Sequence, residues 1–135
     1  MATKPLFIKQ GNITIGRIAA ANTASNGSGT LVVIVTAQTD GTRVDGVRFR
    51  NAQATNAASS AMVHRIFHNV GGTIRLIGEI ATPAATRSAS AIGATSIYTF
   101  DQPLILKSGE TIEVCQSVYA GVQDQVDACP FAGDY

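Results

Sequence analysis

The sequence predicts an all-β protein: an antiparallel β-sandwich, jelly-roll-like, with eight or nine strands. Three observations carry that expectation. Short β-branched runs alternate with turns of Gly, Asn, Asp, Ser and Thr along nearly the whole chain. The runs recur about every 8–12 residues, the spacing of sandwiches and jelly rolls. The clearest of them, Arg43-Val-Asp-Gly-Val-Arg-Phe-Arg50, sends Val47 and Phe49 to one side and Arg48 and Arg50 to the other, the period of a half-buried strand.

In chain order, residues 1–12 are set apart. Lys4-Pro-Leu-Phe-Ile-Lys9 is short, apolar and flanked by cations, and Gly11-Asn12 separates it from the first clear strand. It reads as an edge strand or as an arm that leaves the domain. Residues 13–135 form one sandwich domain, with strands expected near 13–21, 31–37, 43–51, 62–70, 73–81, 95–101, 103–107, 111–119 and 125–133. The run 31–37 is apolar enough to be buried, and Asp40-Gly41 after it is a turn, since glycine accepts the positive φ that a tight turn demands. Gly71-Gly72 joins two strands as a tight hairpin, and Lys107-Ser-Gly-Glu110 joins two more. Two longer loops, 51–61 and 82–94, consist almost wholly of Ala, Ser, Thr and Asn. The first is Ala-rich but has no apolar stripe to bury, which argues against a helix.

Composition bounds the function. At 135 residues the chain holds one core, and without Trp that core is mostly Val, Ile and Leu. Only 14% of residues are charged, ten Lys and Arg against nine Asp and Glu, where ordinary domains carry roughly 25%. Basic residues are scattered singly, so the basic face that nucleic-acid binding wants is missing from the pattern. A surface so poor in charge is expected to be covered by copies of itself or by a larger assembly. The first ten residues lack a signal-peptide core, and no apolar run reaches the length of about 18 residues that a membrane helix needs. Synthesis in the cytosol and no membrane partner are therefore expected. Asn12-Ile-Thr14 and Asn26-Gly-Ser28 match the glycosylation pattern, but in that setting both read as turns.

Cys115 and Cys129 lie symmetrically about residue 122 in a segment that reads strand, loop, strand. If a hairpin turns near Gly121-Val122 the two face each other, and a disulfide there would contribute about 3 kcal/mol. Two reduced thiols are the alternative, and the one that a cytosolic origin favours.

Catalytic chemistry is thin. His64 and His68 have the spacing of a helical metal pair but fall in a strand, where residues four apart lie about 13 Å from each other. Asp45 with Glu79, or Glu110 with Glu113, would be the carboxylate pairs, yet each sits in a turn or alternates outward. No serine sits in a Gly-x-Ser-x-Gly turn, and Gly27-Ser-Gly29 precedes a strand rather than the helix a phosphate site needs. The chain reads as a structural or binding module, not an enzyme, with no cofactor and no metal.

Ala21-Asn-Thr-Ala24 leading through Gly27-Ser-Gly-Thr30 into an apolar strand, Thr36-Ala37, Asp40-Gly-Thr-Arg-Val-Asp45, Met62-Val63, Glu79-Ile80, Pro103-Leu-Ile-Leu106 with Ser108-Gly-Glu110, and Ala132-Gly-Asp-Tyr135 carry a resemblance. From about residue 20 to the end the chain resembles short proteins encoded in tailed bacteriophages, some of which decorate or cement the capsid. Cys115 and Cys129 lie outside that pattern. The resemblance implies a structural virion protein made in the host cytoplasm and seated on the head surface. It also implies a homo-oligomer, a trimer, that binds the major capsid protein where capsomers meet and gains avidity from several weak contacts. The arm, through Lys4, Leu6, Phe7, Ile8 and Lys9, is the first candidate for capsid contact, because its apolar triplet would otherwise be exposed beside cations suited to an acidic shell. Arg43, Arg48 and Arg50 are the second. The alternative is a receptor- or glycan-binding module of a fibre or tail, for which Tyr119 and Tyr135 are the aromatics available to stack on a sugar.

Overall fold

The computed structural model describes residues 7–53 and 57–135. Within them the chain forms β1 (Gln10–Gly11), β2 (Gly16–Ile18), β3 (Val32–Thr36), β4 (Thr42–Asn51), β5 (Met62–Val70), β6 (Thr73–Thr82), β7 (Thr95–Leu106), β8 (Thr111–Gln116) and β9 (Val126–Asp134). A 3-10 turn, Val122–Asp124, precedes the last strand. The pairing is nested and antiparallel: β5 with β6, β4 with β7, β3 with β8 and β2 with β9. This is one long hairpin, folded at Gly71-Gly72 and rolled over on itself into a jelly roll. Rolling leaves β9, β4 and β7 in a five-stranded sheet with β1 and β2, and β3, β8, β5 and β6 in a four-stranded one.

Local chemistry sets the details. Gly41, Gly71 and Gly72 take φ of 99°, 58° and 91°, the values that make their tight turns possible. β1 and β2 share one edge of β9, the first beside Gly133 and Asp134, the second beside Val126 to Ala128. Pro130, which has no N–H to donate, falls in the gap between them. The segments 95–101 and 103–107, expected as two strands, are one strand, β7, ending at Leu106. Four residues, Phe100 to Pro103, separate Thr99 from Leu104 where only Asp45 separates their partners Val44 and Gly46. The excursion is tolerated because β7 is an edge strand. The segments 111–119 and 125–133 were expected to face each other across a hairpin, but β8 and β9 belong to different sheets. Alternation identifies a strand without choosing its partner.

The core lies between the sheets. Val44, Val47 and Phe49 of β4 meet Ile66 of β5 and Ile112 and Val114 of β8, all essentially inaccessible to solvent. At the loop-rich end, the buried Asp124 carboxylate accepts from Ser60 N (2.7 Å), Ser60 Oγ (3.0 Å) and Ala120 N (2.8 Å). The segment 19–31 crosses the outer side of the four-stranded sheet. Ala21 bridges Gln116 there, and buried Asn22 donates to Ser28 O (2.9 Å) and Thr30 O (3.0 Å).

One core residue is polar. His64 is fully buried and stacked on Phe49, ring centroids 4.3 Å apart and planes 3° apart. Neither of its ring nitrogens has a hydrogen-bond partner among the described residues. Burial lowers its pKa from 6.5 to about 4. The unfolded chain therefore binds a proton that the native state refuses between those values. The resulting stability is full above pH 6.5 and is lost as pH falls towards 4, by about 3 kcal/mol. Urea denaturation across that window is expected to show this loss, and His64→Leu is expected to flatten it. An unchanged slope in the variant would contradict the assignment.

Candidate functional site

The two outer faces of the sandwich are unequal. Over the four-stranded sheet, the 19–31 segment buries Cys115, whose Sγ donates to Asn22 O (3.7 Å), and receives a bond from Arg65 to Thr23 O (3.4 Å). The outer face of the five-stranded sheet is largely bare. Ile15, Ile97 and Ile105 are 59%, 53% and 58% exposed there, and Phe131 joins them. β4 runs through the middle of this face, and because its Val47 and Phe49 fill the core, Arg48 and Arg50 must point outward.

Arg48 and Arg50 open into a cleft of about 350 Å³, walled by Ile15, Ala52 and Cys129, with Arg87 on its far side. Arg87 comes from the loop between β6 and β7. Its Nη2 donates to Asn51 O. Gly93 lies against it so closely that a Cβ there would come within 2.8 Å of Nη2. The loop is itself anchored: Ala58 bridges Thr86, Ser59 N donates to Ala85 O (2.9 Å) and Asn51 N to Ala94 O (2.9 Å). The cleft's carboxylate, Asp127, is occupied by Arg17 through two bonds of 2.9 and 3.2 Å. Among the described residues Arg48, Arg50 and Arg87 have no ion-pair partner, and the Nε of Arg48 and of Arg87 is buried without a hydrogen bond.

The expected arginine cluster is thus divided. Arg43 shares the face but pairs with Asp45 at 2.9 Å, whereas Arg48 and Arg50 gain Arg87. The sequence held no signal for Arg87, since it stands alone in a loop of small residues whose folding back follows from tertiary contacts. Of the arm candidates, Lys4 and Leu6 lie outside the described residues. Phe7 is 77% exposed and Ile8 packs on Gly133. Lys9 donates its N–H to Asp134 O (2.8 Å) and pairs with Asp40 (3.3 Å). From Lys9 onward the segment is therefore an edge strand. Asp134 anchors it: burial raises its pKa, but bonds from Thr42, Asn12 and Gln10 hold the carboxyl below its ordinary value.

The remaining candidates are separate. His68 bonds Glu110 (3.0 Å) while His64 lies in the core, Glu79 pairs with Arg65 (2.8 Å), and Glu113 accepts from Asn69 (2.8 Å). Tyr119 and Tyr135 are half-buried. The disulfide across residues 115–129 does not form, and both cysteines are free. Cys115 is under the 19–31 segment on one outer face and Cys129 lines the cleft on the other, because β8 and β9 are in opposite sheets. No protein-family model and no curated protein matches the chain.

Burial pushes the Cys115 thiol up in pKa, against a lowering influence from Arg65. In the native protein a thiol reagent is expected to modify Cys129 and to reach Cys115 only on unfolding. A native protein in which neither reacts until a reductant is added would restore the disulfide.

Proposed function

We propose that this protein is a structural binding module that works by covering its bare sheet face in an assembly. In the reading the sequence resemblance favours, it is a decoration protein of a bacteriophage head. The observation that carries the proposal is the outer face of the five-stranded sheet. Ile15, Ile97, Ile105 and Phe131 are exposed on it, in a chain with only 14% charged residues. Several large apolar side chains exposed on one uncovered sheet face are a mark of contact surfaces, here interspersed with the arginines of β4. The jelly roll supplies a rigid platform, since β4 and β9 in the middle of that sheet are each paired along both edges. A trimer, with the exposed Phe7 available to the capsid protein, is the arrangement that would convert several weak contacts into avidity.

Light scattering of the purified protein is expected to give a multiple of 14.0 kDa, three for a trimer, and undecorated phage heads are expected to bind it to saturation. Ile97→Asp is expected to abolish both, by placing a charge in the contact. A protein that remains at 14.0 kDa and leaves such heads bare would overturn the proposal.

A further inference from the structure

The cleft on the bare face has a chemistry that self-covering does not require. Arg48 and Arg50 alternate outward on one strand, roughly 7 Å apart. Arg87 is brought to them from another loop and held by Asn51 O and Gly93. Arg48 and Arg50 are like charges on one strand. The one carboxylate in the cleft's lining among the described residues, Asp127, sits across from Arg50. It already takes two bonds from Arg17, which leaves the group with an excess of positive charge. The Nε of Arg48 and of Arg87 is buried without an acceptor among the described residues, so neither guanidinium has its hydrogen-bonding capacity filled from within the fold. Arg48 and Arg50 from the sheet, with the part of the Arg87 guanidinium not bonded to Asn51 O, line a cavity of about 350 Å³, a donor set suited to oxygen anions. The walls decide between anions. Ile15, Ala52 and Cys129 give one side an apolar lining suited to the aliphatic stem of an acidic side chain. Among the described residues the cleft's lining also has no aromatic on which a nucleic-acid base would stack.

We infer that the Arg48–Arg50–Arg87 cleft is a carboxylate-binding site that takes adjacent acidic side chains of a protein partner. Arg50 and Arg48 grip the first carboxylate from the sheet, and Arg87 closes on it from the loop. Arg43, neutralised by Asp45, takes no part. The inference does not depend on phage association, but it rests on the cleft remaining open on a face that the proposed assembly otherwise covers.

The test is fluorescence anisotropy of a dye-labelled hexaglutamate titrated with the full chain at low ionic strength, with every variant first shown by circular dichroism to be folded as the native protein is. Saturable binding is expected. Arg50→Gln and Arg87→Gln are each expected to weaken it by about tenfold or more, the scale of one charge-assisted contact. Gly93→Ala keeps every charge but displaces Arg87, and it is expected to weaken binding in the same way. Arg50→Lys keeps the charge and loses the fork, and it is expected to lose affinity too. Arg75→Gln, on the exposed part of β6, is expected to change nothing. No binding by the native protein would overturn the inference. So would an equal loss from Arg75→Gln, which would indicate diffuse charge. Displacement of hexaglutamate by single-stranded DNA with the tighter affinity would make the cleft a phosphate site, and would also overturn it.

Discussion

β4 is the strand on which the rest of the structure depends. It pairs with β7 on one side and β9 on the other, so it holds the five-stranded sheet together. Its inward residues Val44, Val47 and Phe49 supply the middle of the core, and the period of two leaves no freedom in what the other side carries. A strand that buries Phe49 must display Arg48 and Arg50. Core and candidate site are therefore two faces of one constraint, and a slip of one residue in register would bury two arginines and expose the core.

The nested pairing of the jelly roll distributes the remaining parts. Rolling the long hairpin sends short turns to one end, including Asp40-Gly41, Gly71-Gly72 and the Lys107–Glu110 turn, and long loops to the other. At the loop-rich end the Asp124 carboxylate binds residues 60 and 120 together, and Ala58 and Ser59 pair with Thr86 and Ala85, which carries Arg87 to the cleft. The 19–31 segment then roofs one sheet and leaves the other uncovered. The asymmetry between the faces follows from which connection is long enough to cross a sheet.

The fold was legible because its signals are local. Alternation, β-branched runs and glycine turns depend on nearest neighbours along the chain, and the strand positions follow from them. Which strands pair is decided by burial of both sheets at once. That is why Cys115 and Cys129, symmetric about a turn, end on opposite sides of the sandwich. The site was half legible. Arg48 and Arg50 were marked by their alternation with Val47 and Phe49, but Arg43 was grouped with them because sequence distance hides its pairing with Asp45. Arg87 had no signal at all, being placed by backbone contacts of a loop made of small residues. His64 was set aside as a metal ligand, but its burial against Phe49 follows from an inward register that the sequence pattern did not mark.

Arg48, Arg50 and Arg87 share one carboxylate, Asp127, which Arg17 already bonds twice, and this excess of positive charge costs the isolated fold stability, as sites kept for binding do. The thermal midpoint of Arg50→Gln against the native protein, at low ionic strength and without ligand, tests this directly. Relief of repulsion predicts a rise in the midpoint that shrinks as salt is added. A fall would mean that Arg50 serves the fold, and that the cleft is a structural feature with no partner to accommodate.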